Sequence, residues 1–143
     1  MSKKSGNISA QIEQFRGRKL DAHYLGYFHC FNRQLFYEAH DVLEELWLVD
    51  RRGPDGDFYK GLIQLAGAFV HVQKNRRGPA QALLNLAWKN LEKYPAVHHQ
   101  LEKKLVLDLI VRWSGRLESD AEMASLLASE FLPVIRLADD DPH

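Results

Sequence analysis

Between Phe58 and Lys74 the chain is apolar nearly all the way round a helical wheel. At about 100° per residue, Leu62, Leu65, Phe69 and Val72 share one side, and Ile63, Ala66 and Val70 extend it far round the axis. Only a narrow strip remains, carrying Gln64, Gly67, Ala68 and His71. A helix this apolar has little surface to give to water, so other helices must surround it. Gly67 and Ala68 let a neighbour approach closely, at a small cost in helix propensity for the glycine. This one segment commits the chain to a helical bundle built round a central rod.

The flanking sequence supplies the neighbours. Leu20, Tyr24, Tyr27, Phe28 and Phe31 recur at helical spacing and predict a first helix over 20–31, with Asn32 suited to stop it. A second helix restarts near Gln34 with a stripe of Leu35, Phe36, Ala39, Val42, Leu43, Leu46 and Trp47. The run DRRGPDGD over 50–57 is a loop, and Asp55 or Asp57 can cap the central, third helix. Gly78-Pro79 opens a fourth helix, which Pro95 ends. A fifth is expected from Val97 to Leu117, and Ser119 with Glu122 forms a capping box for a sixth that closes at Pro133. Short connections make neighbouring helices antiparallel. The expected fold is all-α: a single-domain antiparallel bundle of about six helices over 20–133. A basic, partly ordered N-terminal arm (1–19) carrying Ile8, Ile12 and Phe15 precedes it. An acidic, frayed C-terminal tail (134–143) follows.

Composition narrows the function classes. Lys plus Arg and Asp plus Glu each total 19 among 143 residues, so formal net charge is zero. No apolar run approaches the ~18 residues of a membrane span. Residues 1–18 are polar and lack the continuous apolar stretch of a signal peptide, so a cytoplasmic protein is expected. Cys30 is the single cysteine, which excludes an internal disulfide or a thiolate zinc cluster. It stands near the end of the first helix, away from any helix N-terminus, and is expected to be an inert, partly buried thiol. Nucleotide-binding loops, dinucleotide turns and serine nucleophile elbows are absent from the sequence. Arg51 and Arg52 fall at one end of the third helix, and Lys74, Arg76 and Arg77 at the other. Phosphate binding needs a concentrated basic face, so nucleic acid is a disfavoured partner.

The chemistry concentrates in the second and third helices. His40 and Glu44 are four apart, on adjacent turns of one face, beside Trp47. Gln64 and His71 are seven apart and share the minor strip of the third helix. If that strip packs on the His40 edge, the four polar groups converge and must satisfy one another or a ligand. Three readings follow. The first is a structural network in which His40 bonds Glu44, while Gln64 and His71 tie the third helix to the second. The second is a small-molecule pocket. The third is a divalent metal site with His40, Glu44 and His71 as ligands, since imidazole and carboxylate at i and i+4 can share one ion. The HExxH motif is not present, nor is any Glu with His three residues later. Glu38, Asp41 and Glu45 form a solvated acidic side, and His23 and His29 read as surface or boundary residues; His98 and His99, adjacent at the start of the fifth helix, cannot share one helical face and read as a surface pair in preference to a metal site.

The runs FNRQLFYEAHDVLEELWL (31–48) and DFYKGLIQLAGAFVHVQKNRRGPAQALL (57–84) resemble the "domain of unknown function 309" family of bacteria, archaea and plants. The resemblance extends over about 20–95. It implies a small all-helical bundle and no established activity. Its motif positions map here onto Asn32, Glu38, His40, Glu44, Gln64, His71, Asn75 and Gly78. The favoured expectation is a non-enzymatic binding or scaffold domain, monomeric or homodimeric, whose partner is a small molecule or a protein. The alternative is a metal-assisted hydrolase in which Glu38 or Glu44 is the base. A nucleic-acid accessory protein acting through the basic arm is the third class.

Overall fold

The computed structural model describes residues 8, 10, 12–17, 19–119 and 132–138. Its helices are α1 (Ala22–Phe31), α2 (Phe36–Asp50), α3 (Gly56–Gln73), α4 (Arg77–Glu92) and α5 (Lys103–Leu117). A short 3-10 turn, Glu13–Phe15, precedes them. Two-residue strands β1 (Val97–His98) and β2 (Leu101–Glu102) pair antiparallel between α4 and α5. The architecture is all-α. The expected sixth helix lies mainly on 120–131, outside the described residues.

The central rod is α3. It packs most extensively on α4 and then on α2, while α1 covers α2 and α5 covers α4. Leu62, Leu65, Ala66, Ala68 and Phe69 are fully buried, as an all-round apolar helix requires. Gly61 sets the closest approach: a Cβ there would stand 2.9 Å from Leu91 Cγ and 3.1 Å from Asn90 Cβ. At Gly67 a Cβ would meet only Leu83 Cδ1, at 3.3 Å. An aromatic cluster fills the space between α1, α2 and α3. Phe36 stacks on Phe69 at 5.1 Å, and Phe31 meets Phe69 edge-on at 5.7 Å. The fully buried Tyr27 hydroxyl donates to the Leu62 carbonyl at 2.6 Å.

Local termination follows the sequence in part. Gln34 and Asn75 adopt left-handed backbone (φ 66° and 59°), which turns the chain between α1 and α2 and between α3 and α4. Gly78 and Pro79 lie in the first turn of α4. The expected helix start at Val97 is corrected: 97–102 is a hairpin and α5 begins at Lys103. The cause is local, since His99 and Gln100 are both left-handed (φ 48° and 63°), a conformation incompatible with helix propagation.

Both chain ends are held where described. Ile8 and Ile12 are buried, so the arm docks by the apolar face its spacing implied. Fraying after Pro133 is corrected for 134–138. Ile135 and Leu137 are buried, and the Ala138 amide donates to the Gln100 carbonyl at 2.7 Å. No helix among the described residues is long and apolar enough to cross a membrane.

Candidate functional site

The minor strip of α3 faces a groove shared with α2 and α4. Its volume is about 250 Å3. Tyr37 and His40 come from α2, Gln64 and His71 from α3. Ile63, Val70 and Leu83 form apolar walls, and Gly67 leaves the floor open. The arrangement follows from helix geometry. Gln64, Gly67 and His71 recur at i, i+3 and i+7, and Tyr37 and His40 at i and i+3, so each helix presents one edge.

The groove's polar bonds run outward from it. Gln64 Oε1 accepts from Asn90 Nδ2 of α4 at 2.8 Å, so Gln64 ties α3 to α4. His40 Nδ1 lies 3.3 Å from Asp41 Oδ1. The buried Nδ1 of His71 meets no hydrogen-bond partner among the described residues. Burial lowers the His71 pKa below its ordinary value, and Arg76 and Lys74 lower it further, so its imidazole is held toward the neutral form. Trp47 lies away from the groove, under the Arg51 guanidinium at 5.9 Å. Glu38 does not line it either; its charge acts on Cys30, whose thiol burial pushes up to about 11. The donor atoms of His40, Asp41 and Glu44 lie within 4.8 Å of one another, a group that does not include His71. Of the trio read from spacing, His40 and Glu44 converge, with Asp41 beside them and His71 outside the group.

A second constellation was missed in the sequence. The Asp55 carboxylate accepts from His98 Nε2 at Oδ1 and from His99 Nε2 at Oδ2, each at 2.7 Å. The two imidazole centroids are 4.3 Å apart. The reading of His98 and His99 as a surface pair is corrected: both are half-buried and share one acceptor. Helical geometry would have pointed adjacent residues apart, but the left-handed turn at His99 and Gln100 swings the second ring back beside the first. Tyr24 pins that turn by donating to the His99 carbonyl at 2.9 Å. Partial burial by itself raises the Asp55 pKa, but the hydrogen bonds and charge of His99 and His98 outweigh it and hold the carboxyl below its ordinary range.

Asp55 occupies the N-cap position of α3, yet its side chain makes no capping bond. Tyr94 replaces it there. The Tyr94 hydroxyl accepts from the Phe58 amide at 3.0 Å and donates to the Pro54 carbonyl at 2.8 Å. The sequence offered one clue, an Asp at a cap position preceding two adjacent histidines, but nothing local joined them.

The chain matches no curated protein and no solved structure. The groove-lining residues run from Tyr37 to Leu83, whereas His98 and His99 lie further along the chain. Residues 24–83 match the family model described as "Domain of unknown function (DUF309)", the family whose resemblance the sequence carries.

Proposed function

We propose that the protein is a non-enzymatic binding domain whose groove between α2, α3 and α4 takes a small, largely apolar molecule with one hydrogen-bonding group. The observation that carries this reading is His71, whose buried Nδ1 has no partner among the described residues while its ring lines an open groove. An unpaired buried nitrogen is costly, and a ligand that meets it after a small turn of the ring toward the groove recovers that cost. The walls of Ile63, Val70 and Leu83 supply apolar contact, and His40 and Tyr37 add polar edges, the usual division of labour in a small-molecule site. Every residue lining the groove lies within the stretch that matches the family model.

The test is a fragment screen followed by imidazole nitrogen NMR on the intact protein. A true ligand shifts the His71 ring resonances in wild type and fails to do so in Gly67→Val, which fills the floor. A screen in which no fragment moves the His71 ring, or in which Gly67→Val binds equally well, overturns the reading. A metal-assisted activity is the second reading, favoured by the convergent donors of His40, Asp41 and Glu44. It requires a stoichiometric ion lost in His40→Ala.

A further inference from the structure

We propose that Asp55, His98 and His99 form a site for one divalent first-row transition-metal ion, held by two imidazole nitrogens and one carboxylate. The donor set is the first argument. Imidazole with carboxylate suits zinc, iron, cobalt or nickel, whereas calcium and magnesium take oxygen ligands. The donor atoms of the three residues lie within 4.8 Å of one another, and each Nε2 is 2.7 Å from an Asp55 oxygen. A tetrahedral ion with bonds of about 2.0–2.1 Å wants donor separations of roughly 3.3 Å. Each Nε2···O pair therefore opens by only about 0.6 Å to admit an ion between groups that already face one another. It replaces the two Nε2–H···O bonds, and each Nε2 proton moves to Nδ1 or to solvent.

The backbone is the second argument. The His98↔Leu101 register leaves His99 and Gln100 as the two-residue turn of the hairpin. Both have positive φ, as in the turns that favour Asn-Gly. Residues that carry a side chain are strained in that conformation. That strain is repaid if the His99 ring must stand beside His98.

The surroundings are the third argument. Tyr94 caps α3 in place of Asp55 and so releases the carboxylate for the two imidazoles. Phe58 packs edge-on against His98 at 4.7 Å, and Tyr59 stacks on His99 at 6.4 Å with 9° between planes. These contacts fix the ligand rings. The three side chains keep 20–34% of their surface accessible, which leaves an open face for water or an exogenous ligand to complete the coordination shell. Three protein ligands with an open position is the pattern of reactive rather than purely structural zinc sites. The site is separate from the groove, and His98 and His99 lie outside the family-matched stretch.

The experiment is titration of untagged, chelator-treated full-length protein with Co2+ by visible absorption and with Zn2+ by calorimetry. One equivalent is expected to bind, with cobalt d–d bands indicating nitrogen and oxygen ligation. His98→Ala, His99→Ala and Asp55→Asn should each weaken binding at least about tenfold, while His40→Ala leaves it unchanged. Circular dichroism identifies variants that remain folded, and His98→Gln provides a milder replacement if His98→Ala does not. Absence of stoichiometric binding in wild type, or equal affinity in folded Asp55→Asn, overturns the proposal. Loss of binding in His40→Ala but not in His98→Ala assigns the ion to the groove edge instead and equally overturns it.

Discussion

Asn32 holds Ile135 by both atoms of its side-chain amide: Nδ2 donates to the Ile135 carbonyl and Oδ1 accepts from the Ile135 amide, each at 2.8 Å. The two residues are 103 apart in sequence. The side chain acts as a one-residue strand, satisfying both backbone groups of Ile135. Gln34 adds a weaker bond to the Pro133 carbonyl at 3.4 Å. A residue placed to end α1 thus also fastens the far end of the described chain.

The Asn32 clasp is expected to be worth more than a surface polar contact. Asn32→Ala leaves the Ile135 amide and carbonyl unpaired beside a buried side chain, and should cost about 1–3 kcal/mol. Asn32→Asp keeps the acceptor for the Ile135 amide but turns a carboxylate oxygen toward its carbonyl, and should be no better tolerated. Urea denaturation measures the loss. Hydrogen exchange should show accelerated exchange at Ile135, and an unchanged rate there would contradict the assigned role.

Gly61 and Gly67 should respond differently to the same substitution. Gly61→Ala drives a methyl into Leu91 Cγ and Asn90 Cβ where α3 and α4 cross. Overpacking of that kind costs about 1–3 kcal/mol. Gly67→Ala meets only the tip of Leu83, which can swing aside. There the gain in helix propensity, up to about 1 kcal/mol, offsets the contact. Thermal unfolding of the pair should place Gly61→Ala clearly below wild type and Gly67→Ala near it. Equal melting temperatures for the two would show that α4 can retreat from α3.

His71 predicts a pH dependence of stability. Its pKa in the folded chain lies below the ordinary 6.5, by burial first and then by Arg76 and Lys74. The unfolded chain therefore binds the proton more readily, and stability rises with pH across that interval. The contribution is fully present above pH 6.5 and is lost as pH falls through the folded value. His29 is shifted the same way, by burial and then by Arg33, and adds to the slope. Denaturation midpoints should fall between pH 7.5 and 5.5, and less so in His71→Asn. An identical slope in that variant would remove His71 from the account.

The rod and its neighbours were legible in the order of residues alone. The all-round apolar pattern of 58–74 could be satisfied only inside a bundle, and helical periodicity with local stop signals marked α1, α2 and α4. The same periodicity placed Gln64 and His71 on one strip of α3, and His40 on an edge of α2, because residues seven apart on one helix share a face wherever that helix packs. Tertiary structure alone decided what those groups bond. Gln64 turned to Asn90, His40 to Asp41, and the Asp55 carboxylate, still at the N-cap position, to two histidines 43 and 44 residues away. Periodicity reports which face of an element is buried, but it carries no information on which element arrives there or in what register. That choice is made by the fit of whole surfaces, such as Gly61 against Leu91, and a hydrogen bond between distant residues is fixed only once that fit exists.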